Sequence, residues 1–246
     1  MLQVDAAPGV HRVEDSFTNW YLLDDGGRLT VVDAGVPTSW RSFHDALGTL
    51  GRRAEDVEAL VLTHGHFDHL GFAERARAEL AIPVYVHDDD VPLTRLPRRY
   101  AFERRRSRYF ATQVQAFPMV AAFLRNRAWW PKPVAEVVRY RDGTLPVPGA
   151  PRIVPTPGHT IGHCALHLPD RDAVIAGDAV VTLDPYTARR GPCLVARAAT
   201  ADSERNLATL DALAETGASR VLVGHGEPWT HGVESAVVRA RQAGAA

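Results

Sequence analysis

The sequence has few of the features that mark secreted, membrane-bound or nucleic-acid-binding chains. Its 246 residues include two cysteines, Cys164 and Cys193, too few for a disulfide framework and typical of a reducing cytoplasm. No stretch approaches the roughly 20 apolar residues of a membrane helix, and the first residues do not read as a signal peptide. The net charge of -1 excludes a globally basic nucleic-acid binder. We therefore expect a cytoplasmic protein with no membrane partner. Nucleic acid is a disfavoured partner, although the net charge leaves a local basic patch open.

What the sequence does contain is an alternation of strand-like and helix-like patterns. Strands are predicted at 9–14, 18–23, 28–35, 58–64, 83–87, 136–140, 152–156, 164–169, 173–178 and 220–224. Helices are predicted at 39–50, 72–80, about 202–216 and about 233–242. No change of composition marks a linker, so residues 1–246 are predicted to form a single α/β domain. Its strands would lie inside, with helices on both outer faces.

The stretch from about 92 to 133 has a different pattern and is predicted to be a two-helix insertion. Its apolar residues at helical spacing are Phe110, Val114, Phe117, Ala121 and Leu124. Such helices can cover a site and select a hydrophobic acyl or ring substrate, with Tyr109, Phe110 and Phe117 as the expected pocket walls. They can instead form a homodimer interface or simply pack onto the domain. The many arginines can bind an anionic substrate or form a solvated face.

The densest chemical signal follows the predicted buried strand at 58–64. His64, His66, Asp68 and His69 provide three imidazoles and a carboxylate within six residues, which is typical of a metal-ligand cluster. If the segment stays extended, His64 and His66 point the same way and reach one ion. A flexible Gly65 would let Asp68 and His69 turn toward the same cavity.

Three distant residues can complete the coordination of such a cluster. His159, Asp178 and His225 each follow a predicted strand, at the end where α/β proteins usually bind ligands. Taken singly, each is also compatible with a loop histidine or a capping aspartate. Together with the local cluster they supply enough ligands for two divalent ions.

The motifs HGHFDH, PGHT, GD and GHG, in this order, resemble those of the metallo-β-lactamase superfamily. The resemblance covers nearly the whole chain and implies a four-layer αββα sandwich with a dinuclear metal site. The implied ligands are His64, His66 and His159 for the first metal, Asp68, His69 and His225 for the second, and Asp178 as the bridge. Asp33 matches a family aspartate that is structural rather than a ligand, although an ordinary strand-end turn would explain it equally well.

Details of the ligand set indicate which branches of the superfamily the chain resembles. Neither cysteine stands at a ligand position and Asp178 is present, so the set is similar to that of glyoxalase II, lactonase and phosphodiesterase branches rather than β-lactamases. About twenty residues follow His225, so we do not expect the helical domain with which glyoxalase II binds glutathione. Val181 stands where acyl-homoserine lactonases place a tyrosine. Oxygen and imidazole ligands suit Zn²⁺ first, with iron or manganese as alternatives.

The resemblance predicts a dinuclear hydrolase that cleaves an ester, thioester or lactone of a small molecule by a metal-bridged hydroxide. Asp68 and Asp178 are the predicted catalytic carboxylates. The alternatives are a phosphodiesterase or nuclease, favoured by the arginines, a persulfide dioxygenase with one iron, and a metal-binding module without activity. The remaining histidines are predicted to be structural: His11, His44, His87, His163, His167 and His231. Among them, His87 ends a strand and can face the cavity.

Overall fold

The computed structural model describes residues 1–246 apart from the side chain of Phe110, so the expectation for that side chain lies outside the described residues. The strands are β1 (Leu2–Ala7), β2 (Val10–Asp15), β3 (Thr18–Asp25), β4 (Arg28–Val32), β5 (Val57–Val61), β6 (Val84–His87), β7 (Val138–Tyr140), β8 (Arg152–Pro155), β9 (Cys164–Leu168), β10 (Ala173–Gly177), β11 (Val181–Leu183), β12 (Arg190–Cys193) and β13 (Arg220–Val223). The helices are α1 (Ser39–Thr49), α2 (Ala73–Leu80), α3 (Val91–Arg95), α4 (Arg106–Thr112), α5 (Phe117–Arg125), α6 (Ser203–Ala214) and α7 (Val233–Ala243).

The strands form two main sheets. The first has the order β1-β2-β3-β4-β5-β6-β7, antiparallel from β1 to β4 and parallel from β4 to β7. The second has the order β13-β10-β9-β8, with β10 and β13 parallel, and β11 pairs with β12 in a separate hairpin. Parallel neighbours require long crossovers, which α1 and α2 supply in the first sheet and α6 in the second.

The side chains of β3 show how the layers stack, because alternate residues of a strand face opposite sides of its sheet. Trp20 and Leu22 pack in the cluster that contains Phe43 of α1. Tyr21 and Leu23 pack in the cluster that contains Leu166 of β9, and so lie between the two sheets. A third cluster packs the outer face of the second sheet, with Val174, against Leu210 of α6 and Val237 of α7. The predicted four-layer αββα sandwich is therefore confirmed.

The ten predicted strands and four framework helices all occur, with ends shifted by at most a few residues. The sequence analysis did not predict β1, β11 and β12. β11 and β12 have only three and four residues, and the six-residue β1 pairs with β2 in an irregular register. Between β6 and β7 the described residues form α3, α4 and α5 rather than two helices. Gln113, outside the helical region of φ and ψ, separates α4 from α5, and Pro118 lies in the first turn of α5.

The side of α5 that packs inward differs from the expected one. Met119 and Phe123 are buried, whereas Val114, Phe117 and Leu124 are 64%, 53% and 54% exposed. Both sides of this helix are apolar, so helical periodicity alone could not identify the buried side, and the predicted side was wrong. We call the exposed residues Val114, Phe117, Ala121 and Leu124 the outer stripe. No helix in the described residues has the length and apolar character needed to cross a membrane.

The homodimer expected from the sequence stays a prediction, and the exposed outer stripe is the surface through which it would form. Because a contiguous apolar stripe on a surface often marks an interface, we expect concentration-dependent dimers. Phe117→Asp should shift sedimentation-velocity profiles toward monomer, since it places a charge at the centre of the stripe. Val238→Asp is the control, because it adds the same charge at an exposed apolar residue of α7 outside the stripe. A chain that stays monomeric at all concentrations would contradict the prediction.

Candidate metal centre

The seven predicted ligands lie at the ends of strands from both sheets. Residues 64–69 follow β5 of the first sheet, and His159, Asp178 and His225 follow β8, β10 and β13 of the second. All seven side chains are buried. The strand ends of both sheets thus converge on one buried centre.

Within this centre the donor atoms form two groups. Those of His64, His66 and His159 lie within 4.8 Å of one another, and so do those of Asp68, His69 and His225. Asp178 stands between the groups: its Oδ2 is 3.3 Å from Nε2 of His159 and 3.3 Å from Nε2 of His225. Asp178 is therefore placed to contact ions held by either group.

Atoms without hydrogen-bond partners test whether metal ions fit here. Nε2 of His64, His66, His69 and His159, and Oδ1 of Asp178, are buried and have no hydrogen-bond partner among the described residues. An unpaired buried polar group costs about 1–3 kcal/mol, and several such groups aimed at one another are hard to explain in a closed core. Divalent cations coordinated by these atoms would supply the missing partners, so the donor set fits a metal centre.

The second ring nitrogen of several ligands is held by a neighbour. Nδ1 of His69 donates to Oδ2 of Asp33 at 2.9 Å, and Nδ1 of His225 donates to the carbonyl of Phe17 at 2.7 Å. Nδ1 of His64 lies 3.0 Å from the hydroxyl of Thr63. Such contacts fix the ring orientation and direct Nε2 toward the centre. Asp33 also accepts from the backbone and hydroxyl of Thr63, which is a positioning role beside the ligands.

The contact to His225 comes from an unusual turn. Ser16 and Phe17 connect β2 and β3 with φ angles of 54° and 65°. A two-residue hairpin with both φ angles positive normally contains Asn, Asp or Gly. The strained turn places the carbonyl of Phe17 within hydrogen-bond distance of Nδ1 of His225. The backbone strain therefore accompanies a contact that orients a predicted metal ligand.

The pKa values in the first donor group favour neutral rings. Burial lowers the pKa of His64 and His66 well below the usual range, and the neighbouring imidazoles lower both further. Burial also lowers the pKa of His159 to about 4. These rings are therefore neutral near pH 7, which leaves a lone pair free for a cation.

In the second donor group, nearby carboxylates raise the pKa values of the histidines. Burial lowers the pKa of His69, but the charges of Asp178 and Asp33 outweigh it and raise the pKa to about 10. The pKa of His225 is raised as well, because Asp178 outweighs burial. Burial raises the pKa of Asp178, yet His225 and His69 hold it well below its usual range. Since a proton and a cation compete for the same lone pair, this negative field also favours a divalent ion.

Sequence reasoning missed Asp90, a buried carboxylate that joins two ligand loops. Its Oδ2 accepts from the backbone of Gly65 at 2.8 Å and from the hydroxyl of Thr160 at 2.7 Å. Its Oδ1 accepts from the backbone of Gly162 at 2.8 Å. Asp90 thus ties the loop of His64 and His66 to the loop of His159. In the sequence it ends a run of three aspartates, a pattern typical of a solvated turn.

Two other residues shape the position of Asp178. His163, predicted to be structural, is buried, and its Nε2 accepts from the backbone N–H of Asp178 at 3.0 Å. A side chain at Gly224 would overlap the Asp178 carboxylate, which explains the glycine before His225. His87, the other histidine considered for the cavity, accepts from the backbone of Asp89 through Nδ1 and caps the turn after β6.

The geometry defines a buried histidine and aspartate metal centre on an αββα sandwich. The family model of the metallo-beta-lactamase superfamily matches residues 13–225, and the chain belongs to this superfamily. A relative in Bacillus subtilis, the probable metallo-hydrolase YflN, is 27% identical over 92% of this chain and 87% of its own length. The chain is accordingly a metal-dependent hydrolase.

Two solved structures are similar along most of their length. The metallo-beta-lactamase family protein TTHA1429 from Thermus thermophilus is 25% identical, with a TM-score of 0.68 over 94% of this chain and 78% of that one. TTHA1623, solved in a di-iron-bound form, is 27% identical, with a TM-score of 0.64 over 91% and 95%. These likenesses agree with the fold and with a metal-binding role for the histidine and aspartate cluster.

Asp90 generates a prediction about metal affinity. In Asp90→Asn the side-chain NH₂ group must face one of the N–H or O–H donors, which loosens the tie between the two loops. We expect roughly tenfold weaker metal binding by His64, His66 and His159, the usual effect of losing a residue that orients ligands. Competition with a chelator measures the affinity, and the visible spectrum of the cobalt form reports the ligand geometry.

The neighbouring Asp89→Asn is the matched control, because the Asp89 side chain is 58% exposed. Unchanged metal affinity in Asp90→Asn, with a native circular dichroism spectrum, would show that Asp90 is only a turn residue.

Proposed function

We propose that the protein is a dinuclear metal-dependent hydrolase that cleaves an ester, thioester or lactone bond in a small molecule. The observation that carries this proposal is the pair of buried donor groups on either side of Asp178. One tetrahedral ion uses at most four ligands, and seven donors exceed that number. A module that only stores or senses metal would not need this shared carboxylate.

Each group of residues has a defined task in this proposal. His64, His66 and His159 would hold the first ion, Asp68, His69 and His225 the second, and Asp178 would contact both. Bound divalent cations supply a more acidic water and polarise a carbonyl oxygen. The Asp68 carboxylate, with Oδ2 3.5 Å from Nε2 of His225, would orient the attacking water by accepting its hydrogen bond.

A cavity beside the first donor group supports a substrate with an apolar part. It has a volume of about 250 Å³, and His66, His159, Leu93, Tyr100 and Ile161 are among its lining residues. The ring of Tyr100 lies 4.2 Å from the ring of His66, centroid to centroid. An apolar wall next to metal ligands suits an acyl or ring group held close to the attacked bond. We call this space the acyl cavity.

The residues that form this wall differ from those favoured by the sequence. Tyr109 packs against Tyr186 with ring centroids 6.1 Å apart, and its hydroxyl donates to the carbonyl of Ala246. Phe117 belongs to the outer stripe. Neither lines the acyl cavity as described. The wall comes instead from Leu93 of α3, Tyr100 before α4 and Ile161 after β8.

The proposal retains Zn²⁺ as the first candidate metal, and the di-iron form of TTHA1623 supports iron as the alternative. The ligand set is similar to that of the glyoxalase II and lactonase branches. A cytoplasmic location is part of the proposal, supported by Cys164 and Cys193, which are buried free thiols.

Metal content is the first test of this function. Protein reconstituted separately with zinc, manganese and iron should bind two ions per chain by elemental analysis, because two donor groups are present. A panel of ester, thioester, lactone and phosphodiester substrates then identifies the bond. One iron and no second ion under every condition would favour a persulfide dioxygenase instead.

The variant Asp178→Ala tests the shared carboxylate. We expect turnover to fall by on the order of a hundredfold or more, with loss of the more weakly held ion. The circular dichroism spectrum should stay native, because the backbone N–H of Asp178 still donates to His163. Asp170→Asn, an exposed aspartate just before β10, is the control. If the Asp178→Ala variant retains activity, Asp178 is only a structural residue that caps the end of β10.

A further inference from the structure

A surface groove runs beside the metal centre, between the end of α3 and the segment that follows α5. It has a volume of about 500 Å³. Its lining includes Arg95, Leu96, Arg98, Arg99, Trp129, Trp130 and Lys132. We call it the cationic groove, since four of these side chains are cations and this described lining includes no carboxylate.

The cations of the groove are free to meet an external anion. Elsewhere Arg77 pairs with Glu74 and Arg141 pairs with Asp88. The four groove cations, by contrast, have no carboxylate within salt-bridge distance among the described residues. Unpaired guanidinium groups beside one another repel, and they bind phosphate groups strongly and in defined geometry.

The groove also offers aromatic surface. Trp130 is 50% exposed, and Leu96 beside it is 51% exposed. A half-exposed indole in a cationic groove can stack on a planar ring, an interaction worth about 1–3 kcal/mol for a nucleotide base. Cations and an indole in one groove therefore match a ligand that carries both phosphate and a planar ring.

Two contacts connect the groove to the metal centre. Arg99 lines both the cationic groove and the acyl cavity, so the two spaces adjoin. Trp129 packs on Phe67 with ring centroids 5.7 Å apart, and Phe67 lies between the ligands His66 and Asp68. A ligand that lies in the groove can thus reach the acyl cavity past Arg99.

We propose that the substrate is an acyl thioester whose leaving group carries phosphates and a planar heteroaromatic ring. The acyl chain occupies the acyl cavity, the phosphates meet Arg95, Arg98, Arg99 and Lys132, and the ring stacks on Trp130. This proposal rests on the hydrolase function proposed above and names its substrate class. In the reaction, the oxygen of water bonds to the acyl carbon and the C–S bond breaks. The thiol leaves with one proton, and the carboxylic acid releases the other.

The acyl cavity favours this substrate over a nucleic acid. Its wall includes Leu93, Tyr100 and Ile161 next to His66 and His159, which suits a short apolar chain. A nucleic acid strand would bring a charged phosphodiester to this wall. The net charge of -1 also gives the chain no general attraction for polyanions.

The test compares two thioesters with the same acyl group. Butyryl-coenzyme A carries phosphates and adenine, whereas S-butyryl-N-acetylcysteamine has the same thioester without them. We expect kcat/KM to be at least about tenfold higher for butyryl-coenzyme A, a difference equivalent to about 1.4 kcal/mol. This advantage should decrease at high salt, because exposed charges are screened.

Groove variants assign the advantage to named residues. We expect the double variant Arg98→Gln, Lys132→Gln to raise KM for butyryl-coenzyme A about tenfold. The single variant Trp130→Ala should have an effect of the same size. Arg125→Gln is the matched control, because this exposed arginine lies on α5 outside the groove. Circular dichroism checks that each variant is folded.

The outcomes separate this proposal from the hydrolase function. If both thioesters are cleaved equally and the groove variants have no effect, the hydrolase stands and the groove proposal is overturned. If neither is cleaved, calorimetry with free coenzyme A decides: binding that the double variant abolishes supports the groove, and absent binding overturns it. A single-stranded RNA oligonucleotide that binds through the same cations and is cleaved would also overturn it, in favour of a nuclease.

Discussion

The structure of the site depends on one buried carboxylate. Asp178 lies between two groups of histidines, and its charge sets the pKa of His69 and His225 while theirs sets its own. The backbone carries it to this point because β10 pairs in parallel with β13, which places Asp178 and His225 at neighbouring strand ends. Gly224 leaves room for the carboxylate, and His163 holds its backbone N–H.

Burying so many polar groups in an apolar interior is unfavourable in free energy unless each group is hydrogen-bonded or coordinated. Two further carboxylates, Asp33 and Asp90, accept hydrogen bonds from buried groups of the ligand-bearing loops. Asp33 joins the end of β4 to Thr63 and His69. Asp90 joins the loops of both sheets that carry the first donor group. The two sheets are therefore connected at the site by hydrogen bonds to charged groups, which are stronger than those between neutral groups.

The parts that could be predicted from sequence are those governed by local pattern. Apolar runs followed by His64, His159, Asp178 and His225 predicted both the strands and the placement of these residues at strand ends. The role of Asp90 was not predictable, because its burial depends on partners 25 and 72 positions away. The prediction of which side of α5 is buried was wrong for another reason. Both of its sides are apolar, and only tertiary contacts decide that Phe123 packs inward and Phe117 outward.

The division between the sandwich and the helical segment after β6 has a consequence for specificity. The sandwich supplies the seven predicted ligands, whereas the helical segment supplies Tyr100 against His66 and Trp129 against Phe67. Both contacts reach the same short motif that carries three of the histidine ligands. A change in the helices can therefore alter substrate fit and, through these two rings, the orientation of the ligands. Because close-packed interiors transmit strain, we expect substitutions at Tyr100 or Trp129 to change both substrate fit and the orientation of the histidine ligands.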